Sequence, residues 1–234
     1  MTPRAAARRL LRRYGPQGWW PTTPAGKFRP VYRARRGAPP PRQAFEVCVG
    51  AILTQNTNWG NVERALEALH RARALDPARL AAMPRPRLER LIRSSGYFRQ
   101  KAERLRSFAR WAGGAAELSG RLRRGSLKAL REELLSLKGV GPETADSMLL
   151  YGGARPVFVV DAYTRRIGSR MGWFPAAAGY TEVQDFFTRA LPPSVAAYNE
   201  AHALIVRLAK EHCRTKPVCR ACPLKAGCAA GRNA

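Results

Sequence analysis

The stretch Leu137 to Asp161, LKGVGPETADSMLLYGGARPVFVVD, constrains this chain more than any other. Apolar residues at 127, 130, 134, 135 and 137 have helical spacing and predict a helix over Leu127 to Leu137. Gly139-Val140-Gly141 then makes a tight turn. Pro142 suits a first helical turn and Gly152-Gly153 a stop, so Pro142 to Tyr151 reads as a second helix. An apolar run, Val157 to Val160, ends on a lone carboxylate, Asp161. Glycines let a backbone come close to a ligand, and a helix N-terminus offers unpaired N–H groups to an anion. Taken singly, the turn is an ordinary helix–helix connection and Asp161 an N-cap for Ala162 to Ile167.

The anion follows from the charge. Lys and Arg number 42 against 16 Asp and Glu, a formal charge of +26 in 234 residues. That excess goes beyond solubility and implies a polyanion, with nucleic acid first and an anionic membrane surface as the alternative. No apolar run approaches the ~18 residues of a membrane span. Residues 1–42 hold eleven Lys and Arg and no acid. Arg4 to Arg13 predicts an amphipathic helix without the apolar core of a secretory signal, although transit peptides share this composition. Arg29 to Arg42 reads as a solvated loop, and Trp19-Trp20-Pro21 as an anchor for the arm.

Elsewhere the pattern is a succession of short helices with almost no strand alternation, so the fold class is all-α. Phe45, Cys48, Val49, Ile52 and Leu53 make the apolar face of a core helix ending in the polar cluster Thr54 to Trp59. Val62 to His70, Pro77 to Met83, Leu88 to Arg93 and Lys101 to Trp111 continue the series. Ser94 to Ala102 reads as a loop, and Gly113-Gly114 and Leu118 to Gly125 as breaks. Trp59 suits either the core or a stacked base. Cys48, within VCVGAIL, reads as a buried small residue.

Cys213, Cys219, Cys222 and Cys228 form C-x5-C-x2-C-x5-C. Four clustered cysteines among cations, with no signal peptide, point to a metal centre rather than disulfides. Thiolates ligate Zn²⁺ or [4Fe–4S], and the spacing alone leaves both open.

The hairpin, the Val-rich run to Asp161, LTQNTNW, G-x4-K-A at Gly96 to Ala102 and the cysteine cluster together resemble the endonuclease III (helix-hairpin-helix-Gly-Pro-Asp) superfamily of base-excision DNA glycosylases. The spelling LTQNTNW, with WWP upstream, is similar to the branch that removes 3-methyladenine. The resemblance implies two helical lobes with a DNA cleft between them. One lobe is 43–155; the other joins the basic arm 1–42 to 156–234, with the cluster loop at 213–228. It implies double-stranded DNA bearing a damaged or abasic site as partner, a monomer, and a bacterial, cytoplasmic, nucleoid-associated setting without a membrane. It places DNA contacts at Gln55, Asn56, Lys101, Lys138, Gly139, Val140, Gly141 and Thr144, with Gln55 filling the gap left by the extruded base. It implies [4Fe–4S] at Cys213, Cys219, Cys222 and Cys228, presenting Arg214, Lys216 and Arg220 to phosphates. The family pattern has one more residue in the first cysteine interval, so the loop here must differ.

One departure concerns the chemistry. Bifunctional members carry a lysine two residues after the second hairpin glycine; here that residue is Glu143, followed 18 residues later by Asp161, the family interval. A carboxylate forms no imine, and without one there is no β-elimination. The expected enzyme is therefore a monofunctional DNA glycosylase in which Asp161 stabilises charge developing on the deoxyribose and orients or deprotonates water. Glu143 would suit a cationic base such as 3-methyladenine, or be a helix-terminal glutamate without chemistry. Lys138 reads as a phosphate contact, with attack on an abasic sugar as the alternative. Two other readings remain: an endonuclease III-like glycosylase and abasic-site lyase for oxidised pyrimidines, and a non-catalytic lesion-binding protein.

Overall fold

A computed structural model describes residues 1–34 and 37–232. Arg35 and Arg36, within the expected loop Arg29 to Arg42, lie outside the described residues. Helices account for the architecture. Among the described residues the β pairing is one isolated antiparallel bridge, Thr22 with Val31, and no helix is long and apolar enough to cross a membrane. In chain order the helices are α1 (Pro3–Tyr14), α2 (Pro41–Leu53), α3 (Trp59–Arg71), α4 (Pro77–Ala82), α5 (Arg85–Leu91), α6 (Phe98–Ala112) and α7 (Ala115–Arg123). They continue as α8 (Leu127–Ser136), α9 (Pro142–Ser147), α10 (Ala162–Met171), α11 (Tyr180–Ala190), α12 (Val195–Glu211) and α13 (Ala229–Arg232).

The chain forms two compact units. Trp20–Arg155 is built around α2, in which every residue from Ala44 to Leu53 is buried. A helix apolar all round is a core helix, and Phe45 stacks on Phe108 of α6 at 6.0 Å between ring centroids. The exception on α2 is Glu46, 2% exposed. Its carboxylate accepts from the Thr23 N–H at 3.0 and 3.1 Å and from the Thr23 hydroxyl at 2.6 Å. These bonds remove the cost of burying a charge and bind residues 22–31 to α2. The Trp20 ring meets Trp59 and Tyr151 at 5.3 and 5.2 Å, and Arg29 reaches Glu67. The unit boundary therefore falls between Trp19 and Trp20, not after residue 42, and the proline- and arginine-rich loop belongs with the central helices.

Three sequence expectations need local correction. Most of Leu118 to Gly125 is no break: α7 covers it as far as Arg123, because Leu118 and Leu122 are buried one turn apart. Ser94 to Ala102 is only partly loop, since α6 begins at Phe98. The helix after the hairpin changes character at Met148, where residues Met148–Gly152 form a π-helical turn. Gly153 ends it by donating to the carbonyls of Met148 and Leu149 at 3.0 and 3.2 Å. A Cβ on Gly153 would lie 2.7 Å from the Leu122 carbonyl, so glycine here allows α7 to pack closely as well as stopping a helix.

The second unit joins Met1–Trp19 to the chain from Pro156 onward. Its core is aromatic. Phe158 stacks on Phe187 of α11 at 4.4 Å and meets Tyr198 of α12 edge-on at 5.8 Å. Val157, Phe158, Val159 and Val160 are all buried, and they lead to Asp161, itself extended, at the start of α10. The expected N-terminal helix is present as α1, with Ala6 and Leu10 buried and its arginines outward.

Candidate active site

The hairpin lies between α8 and α9 in the Trp20–Arg155 unit. Gly139 has φ +83°, a left-handed conformation that favours glycine, and a Cβ there would lie 2.2 Å from Nε of Arg104. Gly141 has φ −94° and open space around it, so the conformational demand falls on Gly139 alone. Val140 is buried, which fixes the tip of the turn to the unit.

Gln55 is bound into this hairpin. Its Nε2 donates to the Gly139 carbonyl and to the Thr144 hydroxyl, each at 2.9 Å, while its Oε1 accepts from Arg104 at 2.5 Å. Thr144 is itself buried. The structure thus joins Gln55, Gly139 and Thr144 to one another and adds Arg104, which nothing in the sequence pattern marked. Asn56 is exposed in a left-handed conformation, φ 53°, that asparagine tolerates better than most residues. Lys138 is 83% exposed and pairs with Glu103 at 3.1 Å. Glu143 is exposed in the first turn of α9. Trp59 packs on Trp20 and donates to Glu63 at 2.8 Å, the packing role rather than a base platform.

Lys101 is a correction. It is 1% exposed, and its ammonium donates to the carbonyls of Leu53 at 2.8 Å and Ser95 at 2.6 Å. A group so enclosed meets no phosphate; it ties the end of α2 to the turn before α6. Burial, then the charge of Arg104, lowers its pKa to about 8. Cys48 is buried as expected, and burial pushes its thiol up.

Asp161 lies in the other unit as the N-cap of α10. Its Oδ1 accepts from the Thr164 N–H at 2.6 Å, and its Oδ2 lies 3.5 Å from Nε2 of His202 on α12. Burial pushes its carboxyl up; the neighbouring His202 and the hydrogen bond from the Thr164 N–H more than offset this, and the net direction is down. The carboxylate is therefore held ionised. His202 was not apparent from the sequence. Its one signal is its place three residues after Asn199 on an apolar helix face.

The four cysteines lie in the same unit, on the loop after α12. All four are half-buried and none is in a disulfide. Burial, followed by the nearby thiols of Cys213, Cys219 and Cys228, pushes Cys222 up, so the four share one neighbourhood. Arg170 of α10 donates to Cys213 Sγ at 3.4 Å and to the carbonyls of Arg214 and Thr215. Arg214, Lys216 and Arg220 are exposed around the loop. Four free thiols with a cation beside them suit a thiolate-ligated group. Among the described residues, however, no three His, Cys, Asp or Glu side chains are gathered as for a single bound ion.

Residues 49–193 match the HhH-GPD superfamily of base excision DNA repair proteins. The chain belongs to that family. The HhH-GPD protein is 40% identical over 222 residues to MJ1434 of Methanocaldococcus jannaschii, provisionally assigned as a DNA repair glycosylase, covering 94% of this chain and 92% of that one. Its fold matches a trapped endonuclease III–DNA covalent intermediate with a TM-score of 0.75 at 22% identity, over 100% of this chain and 98% of the other. It also resembles the Helicobacter pylori 3-methyladenine DNA glycosylase bound to 1,N6-ethenoadenine. There the TM-score is 0.63 at 27% identity, over 74% and 90% of the two chains. The HhH-GPD chain is a DNA glycosylase of the base-excision-repair class.

Proposed function

We propose that this glycosylase is monofunctional and removes alkylated purines such as 3-methyladenine by hydrolysis. The observation that carries the reading is Glu143, exposed in the first turn of α9 where bifunctional relatives have their imine-forming lysine. Of the two lysines near the hairpin, Lys101 is buried on two carbonyls and Lys138 is paired with Glu103. The likeness to the 3-methyladenine glycosylase supports the substrate class.

In this reaction the C1′–N bond breaks and its electron pair leaves with the base. Water adds to C1′ and loses a proton, giving free base and an abasic site. Asp161, held ionised by His202 and Thr164, faces the developing positive charge on the sugar. A carboxyl with a lowered pKa is a weak proton acceptor, so charge stabilisation and orientation of water suit it better than full deprotonation. A purine alkylated on the ring already carries positive charge, needs little protonation to leave, and is complemented by the Glu143 carboxylate. Gln55, Asn56, Gly139, Val140, Gly141, Thr144 and Lys138 would hold the duplex at the hairpin. Cys213, Cys219, Cys222 and Cys228 would hold a [4Fe–4S] cluster with a structural role, keeping their basic loop in place for phosphates.

A panel of duplexes, each with one lesion, tests this for base release and, separately, strand nicking. The expected result is release of alkylated purines without nicking, no borohydride-trapped complex, and loss of release in Asp161→Asn with lesion binding retained. Trapping and nicking as fast as excision would place the enzyme in the bifunctional class and turn attention to Lys138.

A further inference from the structure

The Asp161 carboxylate has two engaged oxygens, and only one of them is explained by local chain geometry. Oδ1 caps α10 through the Thr164 N–H, an interaction any N-cap aspartate makes. Oδ2 faces His202 Nε2 at 3.5 Å, from a helix 41 positions later in the chain. With a proton on Nε2, the imidazole is placed to donate to that oxygen. The pair is enclosed: the His202 side chain is 5% exposed and that of Asp161 13%.

The enclosure is built by the start of the chain. The Trp19 ring meets the His202 ring edge-on at 5.5 Å. Asn199, one turn before His202 on α12, donates from Nδ2 to the Trp19 carbonyl at 2.7 Å. Phe158 also meets the imidazole edge-on, at 6.4 Å. Backbone, indole and phenyl together fix the imidazole plane.

Charged groups on these elements also have partners of their own. On α10, Arg165 donates to the Ala178 carbonyl at 2.7 Å and Arg166 to the Cys213 carbonyl at 2.8 Å. On α12, Glu200 accepts from the Gln17 N–H at 2.8 Å. From α11 come Tyr180 and Gln184, both uncharged, near the Val160 N–H and the Phe158 carbonyl.

We infer that His202 is a positioning residue for Asp161: its Nε2–H fixes Oδ2 and keeps the carboxylate ionised and oriented, while Trp19 and Asn199 fix the imidazole. This rests on the reading of Asp161 as the catalytic carboxylate. The sign is that of a lowered carboxyl group. The favourable contribution is present above the ordinary carboxylate range and disappears as pH falls through the lowered value. Without His202 that fall starts at a higher pH.

The test uses full-length protein with ¹³C-labelled aspartate. It also uses a duplex carrying a tetrahydrofuran abasic analogue, which cannot be excised, as the binding probe. In His202→Leu the Asp161 carboxyl should titrate about one to two units higher, as expected for losing one hydrogen bond to a charged group. Single-turnover base release should fall about tenfold or more, while affinity for the analogue duplex changes by less than about threefold. His202→Phe is read in the same way should the leucine variant not fold. His202→Gln, which keeps an N–H donor, should recover part of the rate. A folded Leu or Phe variant with the wild-type carboxyl titration and wild-type base release overturns the inference. If instead Asp161→Asn still releases base, the catalytic reading of Asp161 fails, while the titration shift separately decides whether His202 holds that carboxylate.

Discussion

Lys101 illustrates how little a residue type says before its surroundings are known. In the sequence it closes a loop motif and looks like a cation for DNA; in the fold it is a buried ammonium between two carbonyls. Its lowered pKa has a consequence for stability. Between about 8 and the ordinary lysine value of 10.5, the unfolded chain binds more protons at this site than the folded one. The contribution of Lys101 to stability therefore rises with pH across that window. Urea unfolding of the wild type and Lys101→Met from pH 8 to pH 10 should show the wild type gaining relative to the variant. A constant difference would mean that the ammonium is not destabilised by burial. Gln55 and Asp161 were legible for the opposite reason: each follows a segment of unmistakable pattern, an apolar helix and a Val-rich run. Arg104 and His202 were not, because what they touch is 49 and 41 residues away along the chain.

At the scale of elements, the hairpin is only as well placed as the two helices it joins. Arg131 of α8 holds Asp146 of α9 through two bonds, Nε to Oδ1 at 2.7 Å and Nη2 to Oδ2 at 3.1 Å, with the Asp146 side chain fully buried. Removing one partner of a buried ion pair leaves the other without compensation, at a cost of ~3–5 kcal/mol. Asp146→Ala should lose about that much in denaturant unfolding and weaken binding to undamaged duplex, because α8 and α9 no longer hold the turn. A loss below ~1 kcal/mol would mean that the pair is as weak as one on the surface. Apolar spacing located α8 and most of α2 to α6, and Pro142 with Gly152-Gly153 located α9. Apolar spacing missed α7, where Gly120 and the arginines obscure a face of Leu118 and Leu122, and it left α11 and α12 unread. The unit boundary was misplaced because Thr23 bonding to Glu46, which claims residues 20–42 for the central helices, is a tertiary contact without a sequence signature.

For the whole molecule, a formal charge of +26 sets the character of every encounter with DNA. Each phosphate neutralised releases counterions, so the logarithm of affinity for undamaged duplex should fall steeply and linearly with the logarithm of salt, by ~0.9 per phosphate contact. Fluorescence anisotropy between low and physiological salt measures this slope. A nearly flat line would mean that the cations are spread over the surface without forming a DNA footprint. The family was legible from the hairpin, Asp161 and the cysteines together. The substrate was not, since no local motif in the sequence specifies which damaged base is bound.

The placement of the first helix has a consequence for how the protein is made. Residues 20 to 155 are continuous and can close on themselves as soon as they have left the ribosome. The unit holding Asp161 cannot. Its first segment includes α1, which packs on α12, and the Met1 carbonyl accepts from Trp173. Those residues precede the Trp20–Arg155 unit in the chain, whereas α12, on which α1 packs, follows it. α1 and its arginines thus lack their packing partner until α12 has been made. Asp161, His202 and Trp19 come together only once α12 has been made, so a chain stalled before α12 lacks this arrangement.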